Sequence, residues 1–305
     1  GWRIAAAAAA AALLVLGVPA LILRTAPPGT DPAATTIAPA TTLDDITLEP
    51  GRPIGIGLDE PIQAYYLLYL PTGYDGSPLP LIVALGSESG GHSGGLGVWG
   101  PDRADTLGTA VVSMAPTGSA WSYPATEDEA ARVDDTGAGG PPPVGTEDVA
   151  MIEAVLDDVA RRLPVGEVYV VGQYRGGLMA GRLACEIPDR ITAAAGYPHA
   201  AYVPADCDPD DAPVPLMSIG PTPTEEAEPF TPATAQSMLS GWAGRAGCSG
   251  STETSPVPGV TETHFTGCAG GTQHLLVLVD EPAPPGWEDP IEAIWQFLTS
   301  AGGGS

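Results

Sequence analysis

The sequence predicts an α/β fold in which a mostly parallel, doubly wound sheet carries helices on both faces and follows an N-terminal membrane helix. Apolar runs of five to seven residues alternate with helix-like stretches from residue 46 to about residue 300. This alternation is typical of parallel strands joined by crossover helices. The runs are continuously apolar, as expected for strands that are buried on both faces. No internal repeat is visible, so a repeat architecture is not predicted.

The N-terminal segment is the first element. Residues 4–23 form an unbroken apolar run between Arg3 and Arg24. As a helix with about 1.5 Å of rise per residue, such a run spans about 30 Å, the thickness of a bilayer's hydrocarbon core. The length favours a transmembrane signal-anchor over residues 1–24, and the alternative is a signal peptide that is cleaved near Ala20. Both interpretations place the rest of the chain outside the cytoplasm.

Two further segments flank the predicted domain. Residues 25–45 are rich in proline, alanine and threonine without periodicity, which is typical of an extended or disordered linker. Residues 301–305 read Ala-Gly-Gly-Gly-Ser and are expected to form a flexible tail. The α/β domain is therefore expected over residues 46–300.

The charge balance limits the partners. The formal net charge is −26, and all 11 basic residues are arginines. A chain this acidic lacks the basic surface that binds nucleic acid, so no nucleic-acid partner is expected. The acidity is typical of a well-solvated surface, and the alternative is an acidic docking face.

The elements of the domain follow from the pattern of apolar residues. A run such as Leu79–Leu85 is apolar throughout, whereas Asp148–Leu163 repeats apolar residues every three or four positions, which is typical of a helix. The expected strands are Ala64–Leu70, Leu79–Leu85, Ala110–Ala115, Glu167–Val171, Ile191–Ala195, Val214–Ile219 and Leu275–Val279. The expected helices are Asp148–Leu163, Gly177–Ala184 and Pro290–Leu298.

The chain contains four cysteines, and none of them forms a Cys-x-x-Cys pair. Zinc-binding spacing is therefore absent, and no metal site or cofactor is expected. An even number of well-separated cysteines after an apolar N-terminus favours two disulfides in an oxidising compartment. Sequence order favours the pairs Cys185–Cys207 and Cys248–Cys268, although four cysteines allow three pairings.

The most informative stretch lies between the strand that ends at Val171 and the helix that begins at Gly177. It reads Gly172-Gln173-Tyr174-Arg175-Gly176. A strand, a tight glycine-framed turn and a helix form the outline of a nucleophile elbow, Gly-x-Ser-x-Gly. The framing glycines are present, but a tyrosine stands at the position of the serine.

Several stretches in order then resemble the secreted polyhydroxybutyrate depolymerase and feruloyl esterase-like branch of the α/β-hydrolases. They are Tyr66–Pro71, Leu81–Gly86, Ala104–Gly118 with Trp121, Glu147–Val149, Leu183–Arg190 and Ile294–Phe297. The resemblance covers nearly the whole chain after residue 45. It implies an α/β-hydrolase fold, hydrolysis of carboxylic esters by a Ser-His-Asp triad, and pairing of Cys185 with Cys207.

The triad that this resemblance implies is replaced at all three positions. Tyr174 occupies the position of the serine nucleophile, Thr224 that of the aspartate, and Ala283 that of the histidine. The elbow retains Gly172, Arg175 and Gly176. The oxyanion loop retains Gly86 and Ser87, without the His-Gly of the family's pattern. The bulky ring of Tyr174 is expected to plug the former pocket.

Relocated residues are the alternative source of chemistry. Ser87, Ser89 and Ser93 lie in the glycine-rich stretch after Leu85, which is typical of a flexible surface loop. His92 and His199 are expected near the carboxyl ends of the strands. Metal binding by these two histidines with Glu88 is not predicted, because loop histidines that bind no metal are far commoner.

Three functions remain open from the sequence. The first is a catalytically inactive binding or accessory module outside the cytoplasm. The second is an active carboxylic ester hydrolase that uses relocated residues. The third is a structural subunit of a membrane complex, with a membrane-complex or cell-envelope protein as partner and residues 4–23 as its membrane contact.

Overall fold

The protein is described from a computed structural model. The structure describes residues 46–123, 145, 147–197, 214–222, 232–287 and 289–302, without the side chains of residues 88–90, 232–238 and 302. The predicted membrane segment, residues 1–24, and the predicted linker, residues 25–45, lie outside these ranges. In the ranges that are described, no helix has both the length and the apolar character needed to cross a membrane.

The strands of the described residues form one mixed sheet of ten strands. They are β1 (Ile54–Leu58), β2 (Ala64–Tyr69), β3 (Leu79–Leu85), β4 (Ala110–Met114), β5 (Val165–Gln173), β6 (Ala193–Tyr197), β7 (Leu216–Pro221), β8 (Gly250–Thr254), β9 (Val260–Thr266) and β10 (His274–Val279). Their order across the sheet is β1-β2-β4-β3-β5-β6-β7-β10-β9-β8. The six central strands are parallel, and they are β4, β3, β5, β6, β7 and β10. Antiparallel pairs complete both edges of the sheet.

Helices cover both faces of the sheet. They are α1 (Gly94–Val98), α2 (Pro101–Leu107), α3 (Glu147–Arg162), α4 (Arg175–Glu186), α5 (Pro232–Arg245) and α6 (Ile291–Gly302). One apolar core lies beneath α3, α4 and α5, and the second lies beneath α1, α2 and α6. The predicted doubly wound architecture is thus confirmed, because strands buried on both faces need helices on each side.

Three element predictions need correction. The strand expected at Ile191–Ala195 is β6, which runs from Ala193 to Tyr197. The last helix extends to Gly302, so the first residues of the predicted tail are helical. Strands β1 and β8 and helices α1, α2 and α5 were not predicted. All five residues of β8 are exposed, so it carries no apolar pattern.

A buried charged cluster fixes α3 on the sheet. The carboxylate of Asp158 accepts hydrogen bonds from the Tyr66 hydroxyl at 2.5 Å, from Arg162 at 2.7 Å and from Arg161 at 3.0 Å. Burial raises the pKa of Asp158, but the hydrogen bonds from Arg162 and Tyr66 outweigh it and hold the pKa below its usual value. A paired buried carboxylate of this kind fixes the orientation of the helix on β2.

The cysteines support half of the predicted disulfide framework. Cys248 and Cys268 form a disulfide, as predicted, which ties the end of α5 to the segment between β9 and β10. Cys185 is buried near the end of α4. Cys207 lies outside the described residues, so its pairing with Cys185 stays a prediction.

His274 is the first residue of β10 and is only 1% exposed. Neither of its ring nitrogens has a hydrogen-bond partner among the described residues. Its ring meets that of Trp242 edge-on, with the centroids 6.3 Å apart. Burial lowers the pKa of His274 to about 4, because the charged imidazolium would lose its hydration. The protein therefore folds with this histidine neutral.

The stability of the fold is expected to depend on pH through His274. Its folded pKa lies below the unfolded value of 6.5, so the stabilisation is present above pH 6.5 and is lost as the pH falls toward 4. Between pH 7 and pH 5 this histidine should remove about 2 kcal/mol from the free energy of unfolding. Urea unfolding of the wild type and the His274→Leu variant at both pH values measures the effect. The variant should lose this part of the pH dependence, and a His264→Gln control should retain it. An unchanged pH dependence in His274→Leu would contradict the assignment.

Candidate functional site

The turn between β5 and α4 has the backbone geometry of a nucleophile elbow. Tyr174 has φ 53° and ψ −124°, and it is the one non-glycine with positive φ among the described residues. Its amide donates a hydrogen bond to the carbonyl of Tyr197 at 3.0 Å, and its carbonyl accepts one from the amide of Gly177 at 2.8 Å. The predicted strand–turn–helix is therefore confirmed, and the tyrosine occupies its strained apex.

Close backbone contacts explain the two framing glycines. A Cβ on Gly172 would lie 2.0 Å from the carbonyl oxygen of Gly176, and a Cβ on Gly176 would lie 2.3 Å from that of Leu85. Real Cβ atoms do not approach oxygen so closely, so any larger residue would move α4 away from the sheet. The glycines thus hold the start of α4 against the carboxyl ends of β3 and β5.

A cavity of about 290 Å³ lies beside this elbow. It opens at the carboxyl ends of β5, β6, β7 and β10, where ligands bind in open α/β sheets. The side chains that give it chemical character are Tyr174, Tyr197, Asp280, Glu281, Ala283 and Trp287. The site therefore combines aromatic rings with carboxylates.

The structure brings together two of the three predicted triad positions. Tyr174 and Ala283 line the same cavity. Thr224 lies outside the described residues, three positions after the end of β7 at Pro221. Tyr174 is 45% exposed and a cavity remains open beside it, and the prediction that its ring fills the former nucleophile pocket stays a prediction.

No histidine lines this cavity within the described part of the chain. His92 accepts a hydrogen bond on Nδ1 from the amide of Ala115 at 3.3 Å, and its ring packs against Tyr65. His264 on β9 pairs with Glu262 at 3.0 Å. The remaining histidine of the sequence, His199, lies outside the described ranges.

The remnant of the oxyanion loop packs against the elbow. The carbonyl of Gly86 accepts a hydrogen bond from the indole of Trp121 at 2.8 Å. A Cβ on Gly176 would lie 2.8 Å from that same carbonyl oxygen, which shows how closely the two segments approach. Ser87 follows Gly86 and precedes a short helical turn.

The glycine-rich stretch after Ser87 is ordered as helix rather than as the expected surface loop. Glu88–Ser93 forms short 3₁₀ turns on either side of a kink at Gly91, which has φ 54° and ψ −155°, and α1 follows. The Ser113 hydroxyl donates a hydrogen bond to the carbonyl of His92 at 2.7 Å, and a Cβ on Gly95 would lie 2.0 Å from the carbonyl oxygen of Ala84. Glycine is needed here for a helix that packs closely on the sheet, and composition alone does not distinguish this from a loop.

The electrostatic character of the cavity is negative. The carboxylates of Asp280 and Glu281 form no side-chain hydrogen bond or ion pair with any described residue, and no arginine is among the described lining residues. Arg103, which lies close enough to act on Tyr197, forms an ion pair with Asp289. The nearby positive charge is therefore already neutralised.

Tyr197 stays protonated at neutral pH. Burial raises its pKa to about 12, and the charge of Arg103 only partly opposes this effect. A phenol with this pKa does not accept a proton at neutral pH, so Tyr197 cannot replace the missing histidine base.

Four cavity residues were missed by the sequence analysis: Tyr197, Asp280, Glu281 and Trp287. A signal for two of them was present. Tyr197 is the last residue of β6 and Asp280 directly follows β10, and polar residues at the carboxyl ends of parallel strands are candidates for a site. Trp287 belongs to the loop before α6, and its position depends on how that loop folds back.

Comparisons with known proteins support the fold. The sequence matches no protein-family model and no curated protein. Solved structures do match. A thermostable esterase has a TM-score of 0.54 at 13% identity, over 81% of this chain and 62% of its own. Acetyl xylan esterase from Aspergillus awamori has a TM-score of 0.55 at 13% identity, over 81% of this chain and 98% of its own. The chain has the α/β-hydrolase fold.

A third match agrees with this assignment. S-formylglutathione hydrolase from Agrobacterium tumefaciens has a TM-score of 0.52 at 13% identity, over 82% of this chain and 95% of its own. The chain thus spans nearly the whole length of two of these three hydrolases. The predicted resemblance to esterases is confirmed at the level of fold, and identities this low carry no information on activity.

Strain at Tyr174 gives a testable effect on stability. A non-glycine residue in this backbone conformation costs about 1–3 kcal/mol. At ordinary strand positions glycine is about 0.5–1 kcal/mol less stable than alanine. We expect the order to reverse at the elbow, so that Tyr174→Gly is more stable than Tyr174→Ala by about 1 kcal/mol. Denaturant unfolding of both variants measures this difference.

The matched reference is the neighbouring pair Gln173→Gly and Gln173→Ala, at a position inside β5 without positive φ. There the alanine variant should be the more stable of the two. If alanine is also the more stable at position 174, then the turn relaxes in the variants and the strain assignment is wrong.

Proposed function

We propose that the protein is an α/β-hydrolase-fold binding module that does not hydrolyse esters. One observation carries the proposal: Tyr174 occupies the apex of a formed elbow, beside an open cavity whose described lining contains no histidine. The elbow and the cavity are formed, and the described residues that line the cavity include neither a serine at the apex nor a histidine. A scaffold of this kind can hold a ligand without turning it over.

The chemistry of the described residues supports this proposal. Acyl transfer needs a nucleophile, a base that accepts its proton, and donors that stabilise the oxyanion. A tyrosine hydroxyl has a reference pKa of about 10 and attacks only when a base or a cation activates it. No described lysine, arginine or histidine lines the cavity with Tyr174. Tyr197 is itself protonated and does not serve as the base.

Hydrolysis assays test the proposal directly. We expect the purified protein to hydrolyse short p-nitrophenyl esters no faster than buffer, while an active acetyl esterase in the same assay shows turnover. A fluorophosphonate probe should label no serine, including Ser87, Ser89 and Ser93. The Tyr174→Phe and His199→Ala variants should give the same background rate as the wild type.

Each outcome of these assays identifies a different mechanism. Turnover that is lost in Tyr174→Phe would establish a tyrosine nucleophile. Turnover that is lost in His199→Ala would establish a relocated base. Stoichiometric labelling of a serine would establish a relocated nucleophile. Any of the three would replace the binding module with the alternative hypothesis, an active carboxylic ester hydrolase.

We also propose that the module works outside the cytoplasm, held by residues 4–23 and next to a membrane-complex or cell-envelope protein. The apolar run and its length support the anchor, and the disulfide between Cys248 and Cys268 supports an oxidising compartment. Crosslinking in native membranes, with a chain that lacks residues 1–24 as the control, tests this proposal. A cleaved, secreted monomer that crosslinks to nothing would contradict it.

A further inference from the structure

We propose that the cavity beside the elbow binds a small organic cation, such as a quaternary or primary ammonium compound. This inference rests on the proposed function, because it takes the same cavity as a binding site. The chemistry of the cavity walls carries it: exposed aromatic surface and unpaired carboxylates meet in one small concave site.

The aromatic side of the cavity supplies the first contact. Tyr174 is held at the apex of the elbow, and the residue is 45% exposed, the one exposed large hydrophobic residue in the described part of the chain. Trp287 lines the same cavity and is half-buried. The faces of tyrosine and tryptophan rings attract cations, and aromatic cages of this kind recognise quaternary ammonium groups.

The acidic side supplies the second contact. Asp280 directly follows β10, and Glu281 is the next residue, so both stand at the carboxyl edge of the sheet. Neither carboxylate has a cationic partner among the described residues. Arg103, which is close to Tyr197, is engaged by Asp289. A cationic ligand would therefore find carboxylates whose charge no described side chain balances.

Size and charge exclude other classes of ligand. A volume of about 290 Å³ lies at the lower end of the range for ligand cavities, so it suits a small molecule rather than a polymer segment. An anionic ligand would face two carboxylates and a chain of net charge −26. A purely apolar ligand would gain nothing from Asp280 and Glu281, which are both exposed at the rim of the cavity.

A pair of ligands with the same shape tests the inference. Choline and 3,3-dimethylbutan-1-ol differ in the charge of one group, because a neutral tert-butyl group replaces the trimethylammonium. Calorimetric titration of the wild-type protein should show choline binding at least about tenfold more tightly than the neutral alcohol. Choline binding should weaken as salt is raised from 0.02 to about 0.3 M, because the cation and the carboxylates attract electrostatically.

Variants locate the site. Tyr174→Ala should weaken choline binding about tenfold, and Asp280→Asn with Glu281→Gln should weaken it by a similar factor. The matched control is Asp189→Asn, which also removes a negative charge but lies beyond the far end of α4, about 18 Å from the elbow by helix length. That control should bind choline like the wild type.

The outcomes separate this inference from the proposed function. Equal binding of choline and the neutral alcohol would overturn the cation assignment, and so would absence of choline binding in a protein that also shows no ester turnover. In both cases the proposed function, a binding module that does not hydrolyse esters, is unaffected. Ester turnover would overturn the proposed function whatever choline does. Loss of binding in Asp189→Asn to the same extent as in the cavity variants would show that only the overall charge attracts choline.

Discussion

The close backbone contact between Gly172 and Gly176 is the constraint on which the site depends. It lets α4 begin directly against the sheet, with no room for a Cβ at either glycine. The chain must then reverse within one residue, and this forces the intervening Tyr174 to φ 53°. A strained, exposed apex is thus a consequence of helix–sheet packing, whatever side chain stands there.

The electrostatics of the cavity oppose the reaction that the fold suggests. Acyl transfer places a negative charge on the carbonyl oxygen, and esterases stabilise this charge with hydrogen-bond donors. Here Asp280 and Glu281 lie at the rim without a described cationic partner, so an oxyanion in the cavity would be repelled. Among the described residues no histidine lines the cavity, so both observations support the proposed binding module. The negative charge of these carboxylates favours binding of a cation over formation of an oxyanion.

The sequence predicted the architecture because the buried parallel strands leave a strong apolar signal, as in Leu79–Leu85. The family resemblance, rather than local pattern, predicted that Tyr174 and Ala283 belong to one site. The sequence analysis missed β8, whose exposed residues carry no signal, and Trp287, whose position depends on tertiary packing. The stretch after Leu85 contains short helical turns, and Gly95 packs closely on Ala84 of β3, a contact that pattern alone cannot show.

The backbone conformation at position 174 does not favour a tyrosine. A glycine at this position would relieve about 1–3 kcal/mol of backbone strain. A buried ring could offset that cost, because burying an aromatic side chain is worth about 1.5–3 kcal/mol. This ring, however, is 45% exposed and leaves the cavity beside it open, so it recovers only part of that energy. The exposed part of the residue borders the cavity, so it is the surface that a ligand bound there would contact.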